Sequence, residues 1–161
     1  LNRETIYTLK LVRMGVDIRQ LEQTSPMKLV TVAEAMTRNF PTVPPTMPVS
    51  DLVTKLRRSG HHGFPVVNEK GELVGVVTLT DVETAMAKGG PEGLTVDDIA
   101  CKSVTVAYPD QYIYDVLVKL GVDVGRIPVV DRSNPKHLLG VLRRHDIVSA
   151  YTKIVTGKKL H

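Results

Sequence analysis

The chain repeats itself, and the period limits what it can fold into. Thr31-Val32 recurs as Thr95-Val96, Thr42-Val43 as Thr105-Val106, Phe64-Pro65-Val66-Val67 as Ile127-Pro128-Val129-Val130, and Gly75-Val76-Val77 as Gly140-Val141-Leu142, a period of about 64 residues. Asp51 and Asp115 fall at matching points of helical patterns, and Asp81 and Asp146 close the two copies. A repeat of this size means two copies of one supersecondary unit. The spacing drifts from 63 at the prolines to 65 at the glycines. Residues 131–137 read as a longer loop than 68–72, and insertions belong in such turns.

Each copy reads as α-β-α-β-β-α. In the first, Leu52, Val53 and Leu56 make an apolar helical face, Pro48 suits the first turn and Gly60 ends the helix. Phe64–Val67 and Leu73–Leu79 are rich in β-branched residues and flank the turn Glu69-Lys70-Gly71, so they pair as a hairpin. Thr80 and Glu83 read as a capping box opening a last helix from Asp81 to about Ala87. The second copy places its long helix at Tyr112–Leu120 and its last at Ile147–Val155. Lys88-Gly89-Gly90-Pro91-Glu92-Gly93 reads as the linker. Residues 1–26 then form an N-terminal segment, 27–90 the first domain and 91–161 the second. Isolated hairpins are marginal in water, so the copies are expected to pack sheet against sheet.

Composition excludes several functions. The longest apolar runs, such as Leu73-Val74-Gly75-Val76-Val77, fall far short of the roughly 20 residues needed to cross a bilayer, so this stretch is expected to be soluble. A single Cys101 forms no internal disulfide, which fits a reducing compartment. The start at Leu1 suggests a piece of a longer protein. The net charge of +4 is scattered, with only seven aromatic residues, which speaks against nucleic acid and suits an anionic small molecule. His61, His62, His137, His145 and Cys101 do not form the convergent pairs a metal site needs. Neither a nucleophile elbow nor a phosphate loop is present, so no catalytic residue is assigned and the chain reads as a non-enzyme.

Each copy carries a hydrophobic-Pro-Val-Val strand, a turn, and Gly-hydrophobic-hydrophobic leading to an Asp at a helix start. This pattern resembles the cystathionine-β-synthase (CBS) domain, twice over, from Met27 to Val155. The resemblance implies an α/β (α+β) fold of two β-α-β-β-α domains packed as a pseudo-two-fold pair, often called a Bateman module. It also implies clefts that hold AMP, ADP or ATP, with or without magnesium, as a regulatory ligand. A first-turn carboxylate such as Asp81 or Asp146 can accept hydrogen bonds from a ribose diol, or it can serve only as a helix cap. Thr78, Thr80 and the free N–H groups of the helix start suit phosphate. By resemblance, each cleft is shared: Asp81 and Thr78 with Val106, Ile127 and Pro128, and Asp146 with Thr42, Val43, Gly63, Phe64 and Pro65. The second copy departs from the first, because Arg143 stands where Thr78 does. There Arg143 or Arg144 either pairs with phosphate or is simply solvated, and His145 borders the cleft.

Upstream, the stretch from Asn2 to Asp17 with its Tyr7-Thr8-Leu9-Lys10-Leu11 core resembles the segment joining the membrane part of chloride channels and chloride/proton antiporters to their CBS pair. It implies a module on the cytoplasmic face of the membrane, covalently attached to a transmembrane transport domain whose ion transport it tunes. The alternatives are a stand-alone CBS nucleotide sensor and a ligand-free structural module. CBS pairs commonly form homodimers through their helices.

Overall fold

The computed structural model describes residues 28–120 and 126–157. Its elements run α1 (Val32–Ala35), α2 (Val49–Ser59), β1 (Gly63–Val67), β2 (Leu73–Thr78), α3 (Leu79–Ala87), α4 (Val96–Ile99), α5 (Ile113–Leu120), β3 (Arg126–Asp131), β4 (Asn134–Arg143) and α6 (Arg144–Val155). Two two-stranded sheets, β1-β2 and β3-β4, give the expected mixed helix-strand fold. The linker Lys88–Gly93 separates α3 from α4, with Gly89 at φ 136° and Gly90 at φ 98°.

The compact units do not follow the repeat. A terminal unit gathers the described residues through Arg38, Val106–Ser133 and the chain from Leu139. A middle unit holds Asn39–Thr105 with Asn134–Leu138. Each copy's opening segment is thus built into the unit made by the rest of the other copy. The repeated Thr-Val dipeptides start these segments: Thr31 accepts a hydrogen bond from the Glu34 N–H at 3.3 Å to cap α1, and Thr95 bonds Asp98 at the start of α4. The valines behind them, Val32 and Val96, are both fully buried.

The exchange is anchored by matching backbone bonds. In the terminal unit the Ile113 N–H bonds the Val30 carbonyl at 2.9 Å, and in the middle unit the Val49 N–H bonds the Leu94 carbonyl at 3.0 Å. Further on, Thr37 and Val141 exchange both bonds at 2.9 Å, as do Cys101 and Val76 at 2.9 and 3.0 Å. This is why each strand carries glycine one residue earlier. A Cβ on Gly140 would stand 2.6 Å from the Thr37 carbonyl oxygen, and one on Gly75 would stand 2.7 Å from that of Cys101.

The core of the terminal unit joins Val30, Val32 and Met36 to Ile113, Val116, Ile127, Val129, Leu142, Ile147 and Tyr151. In the middle unit Val43, Leu52, Phe64, Val66 and Val77 are almost wholly buried. Each such side chain contributes about 1.5–3 kcal/mol relative to exposure.

Several expected boundaries move. The cap of α3 is Thr78, not Thr80, and the helix begins at Leu79. The second copy's last helix starts at Arg144 instead of Ile147. Residues 131–137 do not form a long loop: β3 runs to Asp131, the Asp131 carboxylate accepts bonds from the Ser133 N–H and hydroxyl, and β4 resumes at Asn134. The insertion lengthens a strand, whose His137 makes an antiparallel bridge with Glu72. The early strand of each copy contracts to a single parallel bridge, Val43 to Val66 and Ala107 to Val129.

Candidate functional site

Two strand-to-helix turns carry most of the chemistry. Where β2 meets α3, the Asp81 carboxylate folds back on the helix start. Its Oδ2 accepts from the Thr78 N–H at 2.8 Å and the Thr78 hydroxyl at 3.0 Å, while the Asp81 N–H donates to Thr78 Oγ1 at 3.3 Å. This reciprocal cap satisfies donors that a helix start otherwise leaves open. Among the described residues, Asp81 Oδ1 has no hydrogen-bond partner. Asp81 is half-buried and borders a surface groove of about 440 Å³ with Thr84, Lys88, Glu92 and Asp98. Gly63 faces Thr78 across the sheet, and a Cβ there would meet the Val77 carbonyl oxygen at 2.7 Å. Only glycine fits beside that turn.

Where β4 meets α6, the backbone repeats the pattern and the side chains do not. The Arg143 N–H donates to Asp146 Oδ2 at 2.8 Å, matching Thr78 and Asp81. The Arg143 guanidinium then covers the carboxylate, with Nε 3.3 Å from Oδ2 and Nη2 3.3 Å from Oδ1. Thr37 completes the ring: its hydroxyl donates to Asp146 Oδ1 at 3.0 Å and accepts from Arg143 Nη2 at 3.1 Å. Both oxygens of Asp146 are engaged, and the residue is only 8% exposed.

A second arginine stands close by. Arg126 lies 63 residues after Gly63, and its buried Nε has no hydrogen-bond partner among the described residues. Burial, and then the nearby positive charge of Arg143, hold its guanidinium pKa below the ordinary arginine value. The middle unit's matching turn has no arginine at Gly63 or Thr78.

The remaining candidates divide between the units. Thr42, Val43, Gly63, Phe64, Pro65, Thr78, Thr80 and Asp81 belong to the middle unit, and Val106, Ile127, Pro128, Arg143, His145 and Asp146 to the terminal unit. Val43 bonds across to β1, its N–H to the Pro65 carbonyl at 3.0 Å and its carbonyl to the Val67 N–H at 3.0 Å. Its counterpart is Ala107, whose N–H bonds the Pro128 carbonyl at 2.9 Å and whose carbonyl accepts the Val130 N–H at 3.0 Å. Val106 is therefore one residue out of register. The strict period of 64 points to Ala107, while the matching Thr-Val dipeptides point to Val106. Phe64 is fully buried, with its ring centroid 6.3 Å from that of Phe40 and 5.8 Å from that of His61. Only its backbone is left to meet a ligand. The Thr42 carbonyl accepts from Lys55 Nζ at 3.2 Å. Thr80 and His145 are exposed. Sequence reasoning missed Thr37 and Arg126.

The upstream stretch Asn2–Asp17 lies outside the described residues. Among the described residues, no helix is long and apolar enough to cross a membrane.

The chain is similar to an uncharacterized protein of Methanocaldococcus jannaschii, with 32% identity over 134 residues, 81% of this chain and 48% of that one. It is also similar to L-aspartate semialdehyde sulfurtransferase of the same organism, with 25% identity over 98% of this chain and 31% of the enzyme. It thus spans half or less of these two relatives. Among solved structures, CBSX2 in complex with AMP is 29% identical, with a TM-score of 0.66 over 78% of this chain and 98% of that one. The CBS domain family matches residues 32–88 and again 96–153, so the chain belongs to the CBS domain family and carries two copies of that domain.

Proposed function

We propose that this CBS pair is a regulatory, non-catalytic module that binds an adenine nucleotide, AMP, ADP or ATP, with Asp81 taking the ribose. The observation that carries this reading is the open Oδ1 of Asp81, a half-buried residue whose carboxylate is held at a helix start by the Thr78 cap. A ribose diol supplies the donors that such an oxygen accepts. The AMP complex of CBSX2, a structural relative of matching extent, supports the ligand class. The sulfurtransferase, of which this chain spans 31%, supports a module appended to a larger activity. Attachment to a membrane transporter rests on the resemblance of residues 2–17 alone.

Binding acts as regulation only if the ligand prefers one of two states of the pair, and typical coupling of about 1–3 kcal/mol shifts an attached activity several-fold to about a hundredfold. Calorimetric titration with AMP, ADP and ATP, each with and without magnesium, tests the reading. Saturable binding that weakens about tenfold or more in Asp81→Ala supports it. No heat and no change in melting temperature with any nucleotide sinks it.

A homodimer is the accompanying proposal, supported by Leu79 and Met86, seven residues apart on α3 and 40% and 48% exposed. Sedimentation should find a dimer that Met86→Glu converts to monomer. An unchanged mass for the variant removes α3 from the interface.

A further inference from the structure

The two turns share a backbone and differ in what is left for a ligand. At Asp81 the cap uses Oδ2 alone. At Asp146 three donor groups besides the backbone N–H close on the carboxylate: Nε and Nη2 of Arg143 and the Thr37 hydroxyl. They do so in a place where only 7% of the side chain is exposed. A carboxylate has about four lone-pair sites. Those of Asp146 are met by four donor contacts, leaving none for a diol.

We infer that Arg143 is a built-in competitor for ribose that closes the second copy's carboxylate, so that the chain binds one nucleotide, at the turn of Asp81, and not two. The inference rests on the nucleotide-binding reading and adds its stoichiometry and its selecting residue. A ligand reaching Asp146 must displace a guanidinium that is bidentate on the carboxylate and also bonded to Thr37. Charge-assisted bidentate pairs are the stronger hydrogen bonds in proteins, and breaking one here strands the buried charge of Asp146. The neutral hydroxyl of Thr78 in the first copy makes no comparable barrier.

The test titrates the 161-residue chain and three variants, Asp81→Ala, Arg143→Thr and the double variant, with AMP and with adenosine, which lacks phosphate and reads the diol site directly. Arg143→Gln serves as a second opening variant that keeps side-chain length, and circular dichroism checks each fold. Expected are one equivalent for the wild type, affinity lower by about tenfold or more for Asp81→Ala, two equivalents for Arg143→Thr or Arg143→Gln, and one for the double variant. Two equivalents in the wild type, or folded Arg143 variants that bind no more than the wild type, overturn the inference. If the wild type binds nothing, the Asp81 reading fails by itself. Arg143 then stands as the closing residue if its variants gain binding, and falls if they do not.

Discussion

The turn at Thr78–Asp81 and the turn at Arg143–Asp146 have the same backbone bond, 2.8 Å from the first residue's N–H to the carboxylate, and opposite electrostatics. In the first, a hydroxyl and an N–H hold a carboxylate with an oxygen to spare. In the second, a cation consumes it. One inherited cap geometry has been turned to two ends by Arg143 and Thr37, which shows that a repeated motif guarantees a repeated shape and not a repeated site.

The largest expected effect separates the turns by stability. Asp146→Ala leaves Arg143 without its carboxylate in a part-buried place, and breaking such pairs costs about 3–5 kcal/mol. Asp81→Ala removes only a cap, about 0.5–2 kcal/mol. Urea unfolding of both variants ranks them, and equal losses would dissolve the contrast. Next come Gly140→Ala and Gly75→Ala, which drive a Cβ against a carbonyl oxygen in each unit and should cost about 1–3 kcal/mol apiece. Matched losses confirm that the two units are built alike at that crossing, whereas a neutral variant means the opening segment there yields.

The smallest effect concerns pH. Hydrogen bonds from the Thr95 backbone N–H and hydroxyl hold the Asp98 carboxyl below the ordinary aspartate value. A folded-state pKa below the unfolded one contributes stability that is present above the unfolded value and lost as pH falls through the folded one. Asp98→Asn should therefore be less stable than the wild type at pH 7 by a small margin that shrinks below about pH 4. Denaturant midpoints at pH 7 and pH 3 check the sign.

Much of each unit was legible because its signals are local. Pro-Val-Val marked β1 and β3, Glu69-Lys70-Gly71 marked the hairpin turn, and Gly60 ends α2 at φ 71° with its N–H on the Leu56 carbonyl. The exchange was not legible, since an apolar segment such as Val30–Met36 carries no sign of which copy's strand it will meet. Thr37 escaped notice for the same reason: it lies 106 residues from Arg143 and 109 from Asp146. Thr80 and Thr78 look alike as caps in the sequence because both precede an acidic residue by three positions, and only the backbone decides which Thr is extended, as Thr78 is at φ −124°.

The traded opening segments also set an order of events for a chain emerging from the ribosome. The middle unit's main span, Asn39–Thr105, is complete once residue 105 is free, and it can close while the rest is still being made. Val30, Val32 and Met36 must wait for Ile147 and Tyr151, more than a hundred residues later, before their core exists. Contacts of such long range are slow to form, since the loop between them must be closed first. A chain stopped near the Gly89-Gly90 linker would therefore carry one opening segment without its receiver and one receiver without its segment, so neither unit can close on a single copy.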